Sequence, residues 1–131
     1  MNQGALILVV DDDELLQELV KIALEGEGFA VAQALTGAEM RAALSRKRPD
    51  LIVLDVALPD ADGRDLLAAL KKDPKTMNIP VLLWTGRYPD SDRAIALDLG
   101  AEDFFEKGPA NDLVSKIERI LLRISDRLPV K

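Results

Sequence analysis

The chain has 131 residues, a formal net charge of −6, and neither cysteine nor histidine. That length suits one domain, and the missing residue types exclude disulfides, thiolate or histidine metal sites, and Ser-His or Cys-His nucleophiles. The negative charge argues against general binding to nucleic-acid phosphates, and no apolar run approaches the roughly 18 residues of a membrane span.

Met1-Asn2-Gln3-Gly4 lacks the basic start of a signal peptide. Leu6–Val10 is an apolar run that reads as the first strand and ends at Asp11-Asp12-Asp13. Leu16, Leu19, Val20, Ala23 and Leu24 then recur at i, i+3, i+4, i+7 and i+8, the spacing of one helix face. Gly28 stops that helix, and Ala30–Ala34 reads as the second strand. Thr36-Gly37-Ala38-Glu39 has the pattern of a capping box opening the second helix. Ser45-Arg46-Lys47-Arg48 reads as its solvated end, where cations suit the helix dipole. Pro49 precedes a third strand, Leu51–Leu54, which ends at Asp55. Leu66, Leu67 and Leu70 mark the third helix. Pro80 precedes a fourth strand, Val81–Trp84, which ends at Thr85-Gly86; strand alternation turns Trp84 away from Thr85 and into packing. Ala94, Ile95 and Leu97 mark a short fourth helix that Gly100 closes. Asp103–Glu106 is the weakest strand and ends at Lys107-Gly108. Leu113, Ile117, Ile120, Leu121 and Ile124 mark a strong fifth helix. The expected domain is residues 4–124, with 125–131 a tail or the start of a linker.

Five strand–helix units in alternation imply a three-layer α/β domain with right-handed crossovers. Short strands without polar alternation suggest a parallel sheet covered on both faces. A parallel sheet gathers its C-terminal strand ends on one edge, where ligands bind at the reversal of strand order. If the first and third strands are neighbours there, Asp11, Asp12 and Asp55 converge. Clustered carboxylates repel, and a divalent cation relieves the repulsion. Oxygen ligands alone suit Mg²⁺, Mn²⁺ or Ca²⁺, and Mg²⁺ bridges readily to phosphate. A carboxylate can also be a nucleophile forming an acyl phosphate. Thr85 can donate to one phosphoryl oxygen and Lys107 can pair with another, so the inventory fits phosphoryl transfer. Without histidine, the chain must take that group from outside.

The chain resembles the receiver domain of two-component response regulators. The matching residues are Val9-Val10-Asp11-Asp12-Asp13, Leu54-Asp55-Val56-Ala57-Leu58-Pro59-Asp60-Ala61-Asp62-Gly63, Ile79-Pro80-Val81 through Trp84-Thr85-Gly86, and Gly100-Ala101-Glu102-Asp103-Phe104 through Lys107. The resemblance runs from about residue 5 to residue 124. It implies a doubly wound, flavodoxin-like parallel sheet of five strands in 2-1-3-4-5 order. It implies a cytoplasmic signalling module rather than a conventional enzyme. Asp55 would be phosphorylated by a histidine kinase or histidine phosphotransfer protein. Mg²⁺ would sit on Asp11, Asp12, Asp55 and the backbone carbonyl of Ala57. Thr85 and Lys107 would contact the phosphoryl group, and Thr85 and Phe104 would act as the switch. An output partner, or a second copy in a homodimer, would use the fourth helix, fifth strand and fifth helix. Direct nucleic-acid binding by this domain is not expected. The sequence departs from the family in placing Gly108 between Lys107 and Pro109, and it carries Ala57 and Arg87 two residues beyond Asp55 and Thr85.

Blander readings stand beside these. Asp12 and Asp13 suit helix caps, Asp55 suits a turn before Pro59, Arg87 suits a solvated loop, and Phe104 suits plain core. Two other functions compete. One is a receiver-like interaction domain that takes no phosphate. The other is a Mg²⁺-dependent phosphohydrolase, which generally needs a second acid where this chain has Ala57.

Overall fold

The computed structural model describes residues 4–86 and 90–127. Ten elements alternate along them: β1 (Leu6–Val10), α1 (Glu14–Gly26), β2 (Ala30–Ala34), α2 (Gly37–Arg46), β3 (Leu51–Leu54), α3 (Gly63–Lys72), β4 (Val81–Thr85), α4 (Asp90–Asp98), β5 (Asp103–Glu106) and α5 (Ala110–Arg127). The strands form one parallel sheet in the order β2-β1-β3-β4-β5. The expected doubly wound, flavodoxin-like architecture is therefore present, and the order reverses between β1 and β3.

Strand alternation divides the core in two. Leu8, Val10, Ile52, Leu54, Leu83 and Phe104 pack with Met40 of α2, Leu66, Leu67 and Leu70 of α3, and Ala96 of α4. Ile7, Val9, Val53, Leu82 and Trp84 pack with Val20 and Leu24 of α1 and with Leu113, Ile117 and Ile120 of α5. Both faces of the central strands are thus covered, which is why their sequences show no polar alternation. Helix ends follow local chemistry. Asp13 caps α1 by accepting from the Leu16 N–H at 3.1 Å. Thr36 Oγ1 accepts from the Glu39 N–H at 3.0 Å, and the Glu39 carboxylate reaches back to the Leu35 N–H at 2.9 Å. Gly28 and Gly100 take φ of 92° and 107°, left-handed values that favour glycine after a helix.

The expected face of α1 packs against the sheet through Leu16, Val20, Ala23 and Leu24. Only Leu19 of that face departs, at 51% exposure, and Gln17 is buried beside Val20 and Leu24. Leu15, Leu19 and Ile22, spaced i, i+4 and i+7, form a second apolar stripe that faces solvent. In α4, Ala94, Ile95 and Leu97 are exposed. Ala96 enters the core instead, with Leu99 packed beside it three residues on. α5 continues to Arg127, through the first three residues of the expected tail. Arg87 and residues 128–131 lie outside the described residues. No helix among the described residues is long and apolar enough to cross a membrane.

Asp103 ties the β5 edge together. Arg93 of α4 and Lys116 of α5 reach its carboxylate at 3.1 and 2.6 Å, and Arg93 also donates to the Phe104 carbonyl at 3.1 Å. Burial opposes ionisation of Asp103. Lys116, the Phe104 N–H and Arg93 outweigh it and hold the carboxyl below its ordinary range. A depressed folded pKa contributes stability above the unfolded value, about 4, and loses it as pH falls further. Asp103→Asn should therefore lose about 1–2 kcal/mol at pH 7 and show a flatter acid limb. Urea midpoints between pH 7 and pH 2 check this; parallel curves for parent and variant would contradict it.

Candidate functional site

Register places the acidic residues. Val10 lies opposite Leu54 across the β1–β3 ladder, so Asp11 and Asp55 both leave the sheet at the next step. The Asp11 N–H donates to the Ala34 carbonyl and the Asp55 N–H to the Val10 carbonyl, each at 3.0 Å. Both residues are buried, at 1% and 6% exposure, while Asp12 is exposed. Carboxylate oxygens of Asp11, Asp12 and Asp55 all lie within 4.8 Å of one another. Asp13 stands apart from them as the α1 cap.

Lys107 enters from the end of β5. Its N–H donates to the Thr85 carbonyl at 2.8 Å, which fixes it beside the end of β4. Its Nζ lies 2.6 Å from Asp11 Oδ2 and 3.1 Å from Asp55 Oδ2. The contact with Asp55 is a hydrogen bond. The shorter approach, to Asp11, is an ion pair with a carboxylate that is almost fully buried. The Ala57 N–H donates to Asp55 Oδ1 at 3.3 Å, so that stretch of backbone runs beside the carboxylate. Thr85, at the end of β4, is buried. Phe104 is buried in the core under α2, α3 and α4, three residues before Lys107.

Burial pushes the Asp11 carboxyl up, and the Asp55 charge adds to this; Lys107 and the Asp13 N–H oppose without cancelling it. Burial alone would lower the Lys107 pKa, but contact with Asp11 and Asp55 raises it above its ordinary value. The ammonium therefore stays charged at neutral pH. Ionised, three carboxylates against one ammonium leave negative charge uncompensated. The donors are all oxygen, and two of the three carboxylates are buried. Those features fit a hard divalent cation.

Three further residues support the site. A Cβ at Gly63 would collide with the Asp55 carbonyl oxygen and stand 2.7 Å from Val56 Cα, so only glycine lets α3 begin against the β3 end. Asp60 accepts from the Gly37 and Ala38 N–H groups at 2.8 and 3.1 Å, linking the loop after Asp55 to the start of α2. Gln17 Nε2 lies 3.0 Å from the Val9, Asp11 and Ala34 carbonyls, which pins the ends of β1 and β2. Gly63 and Asp60 belong to the motif after Asp55, but their roles depend on close approaches that spacing does not reveal. Gln17 had no sequence signal beyond a polar residue near an apolar stripe.

Asp11 carries a test of this electrostatic account. A carboxyl whose folded pKa is raised favours folding at low pH and costs stability as pH rises through the folded value. Asp11→Asn should gain about 1 kcal/mol at pH 7 without divalent cation, with the gain shrinking toward pH 4. Millimolar MgCl₂ should raise the melting temperature of the parent more than that of the variant. A less stable variant at pH 7, or equal shifts with cation, would contradict the account.

The profile of the response regulator receiver domain family matches residues 7–118. The chain is 38% identical over 124 residues to the DNA-binding dual master transcriptional regulator RpaA of Synechocystis sp., a match covering 94% of this chain and 51% of RpaA. It thus spans about half the length of that curated relative. The signal receiver domain of a signal transduction histidine kinase from Syntrophus aciditrophicus superposes with a TM-score of 0.82 at 33% identity, covering 98% of both chains. The Mn²⁺-bound form of response regulator Rcp1 superposes with a TM-score of 0.78 at 25% identity, covering 98% of this chain and 99% of that one. The chain belongs to the response regulator receiver domain family, and it is a phosphoacceptor signalling module of the two-component type.

Proposed function

We propose that Asp55 takes a phosphoryl group from a histidine kinase or histidine phosphotransfer protein, with Mg²⁺ held by Asp11, Asp12, Asp55 and the Ala57 carbonyl. The observation that carries this reading is the meeting of three carboxylates within 4.8 Å, one of them the buried Asp11, against the single ammonium of Lys107. The Mn²⁺-bound form of response regulator Rcp1 supports a divalent cation in this fold. When bound, the cation neutralises charge on the carboxylates and on the incoming phosphoryl oxygens.

The chain's own residues do the rest. The Ala57 N–H on Oδ1 and Lys107 on Oδ2 restrain rotation of the Asp55 carboxylate. An Asp55 oxygen forms a bond to phosphorus as the phosphorus–nitrogen bond of the donor's phosphohistidine breaks, and the histidine leaves with those electrons. Lys107 then pairs with one phosphoryl oxygen, and the Thr85 hydroxyl donates to another. Such a domain catalyses its own phosphorylation and dephosphorylation and turns over no separate substrate. A phosphohydrolase would need an acid where Ala57 stands, and no observation favours an unphosphorylated interaction domain.

The receiver unit is residues 4–124, with residues 125–131 a tail or the start of a linker into which α5 continues as far as Arg127. The setting is the cytoplasm, and DNA contact of the kind named for RpaA would belong to a region outside this domain. The signal leaves through α4, β5 and α5, toward an output partner or a second copy of the chain, as Thr85 and Phe104 shift. The donor docks on the exposed stripe Leu15, Leu19 and Ile22. α1 starts directly after the acidic residues, so a protein seated there brings its phosphohistidine to Asp55.

Incubation with a small acyl phosphate and Mg²⁺ should add one phosphoryl group by mass, and Asp55→Asn should not be labelled. Amide shifts over residues 93–106 should move on labelling; an equally labelled Asn variant overturns the acceptor, and silence over 93–106 overturns the route. Leu15→Asp with Leu19→Asp should slow transfer from a phosphorylated kinase at least tenfold while leaving labelling by the small donor near parental. Equal effects on both donors would remove the docking role.

A further inference from the structure

The Lys107 ammonium rests on an aromatic face as well as on two carboxylates. Its Nζ lies 5.6 Å from the centroid of the Trp84 ring, inside the range of about 6 Å for a cation–π contact. Trp84 is the single tryptophan of the chain. It precedes Thr85 on β4 and is buried on the face covered by α1 and α5. Its register partner on β5 is Phe105, two residues before Lys107.

Packing alone does not account for an indole at this position. No hydrogen bond reaches its buried Nε1–H, and an orphan donor costs a core stability that Leu or Phe would not forfeit. What an indole offers over an aliphatic side chain is a negative ring face. That face attracts an ammonium without accepting a conventional hydrogen bond. It can hold Lys107 over Asp55 and leave the N–H groups free to turn from the carboxylate to a phosphoryl oxygen. A third carboxylate in its place would compete for those N–H groups and add to the repulsion.

We propose that Trp84 is a positioning residue for phosphoryl transfer, seating the Lys107 ammonium over the acceptor through its ring face. The inference rests on the reading of Asp55 as the acceptor. Its consequence is that the electron density of the ring, and not only its shape, sets the rate of labelling.

Because Trp84 is the only tryptophan, fluorinated tryptophans supplied during expression replace that ring alone. Fluorination drains charge from the ring face and changes its shape little, so the protein should fold as the parent does. Labelling of Asp55 by a small acyl phosphate at saturating Mg²⁺ should slow stepwise from tryptophan through monofluoro- to trifluorotryptophan, about threefold to tenfold over the series. With Lys107→Met, the same series should show no trend. Trp84→Leu should match the most fluorinated ring, and Trp84→Phe should fall between. A flat series with Lys107 present, or the same slope in Lys107→Met, overturns the inference while leaving Asp55 as acceptor. Failure of the parent to label, or equal labelling of Asp55→Asn, overturns the acceptor reading and this inference with it.

Discussion

Parallel register between the two central strands is the constraint on which the site depends. Val10 stands opposite Leu54, so Asp11 and Asp55 must emerge together at the edge where strand order turns. Neither can withdraw, because its N–H completes the ladder to a neighbouring strand. Carboxylates within 4.8 Å of one another repel, and the burial of Asp11 adds a larger cost to its ionised form. The apolar sheet beneath sustains this cost, with almost every inward side chain of β1, β3 and β4 fully buried. One lysine relieves part of the repulsion. The remainder is a standing affinity for positive charge at the site, independent of any induced change.

Much of this was legible before any coordinates. The limits of β1, β2, β3 and β5 follow from apolar runs bounded by glycine, proline and aspartate. The meeting of Asp11, Asp12 and Asp55 follows once parallel strands are known to end on one edge. Where sequence reading failed, the missing quantity was three-dimensional. On α1 the helical period placed Leu16, Val20, Ala23 and Leu24 correctly against the sheet, and only Leu19, at the edge of that face, turns to water. In nine-residue α4, apolar residues on adjacent faces gave no dominant period, so the role of Ala96 was hidden. Gly63 has an unremarkable φ; its necessity lies in a contact with the Asp55 backbone, which no propensity records.

The two edges of the sheet are held differently, and this bears on where a change at Asp55 can travel. On the β2 side, Gln17 joins the ends of β1 and β2 through three carbonyls, Gln33 bonds back to Gln17, and Asp60 fastens α2 to the loop after β3. That edge is tied directly to the strands bearing the acidic residues. The β5 edge is tied mainly to its own surroundings. Asp103 binds α4 and α5 to β5, and these ties move with the edge rather than anchoring it to β1 or β3.

Lys107 connects the site to that looser edge. Its N–H is bonded to the Thr85 carbonyl, so the ends of β4 and β5 cannot shift independently. Its ammonium reaches across to Asp11 and Asp55. Alternation then sends consecutive residues of β4 in opposite directions, Trp84 toward α1 and α5 and Thr85 toward the layer that holds Phe104 and Ala96. Lys107 thus touches β4 at two consecutive residues that face opposite layers, by its ammonium over the Trp84 ring and by its N–H on the Thr85 carbonyl. Among its described side chains, α4 contributes only the methyl group of Ala96 to the buried core, whereas α5 sets Leu113, Ile117 and Ile120 deep against the sheet. Among the described side chains, α4 is therefore held to the sheet by less buried apolar surface than α5.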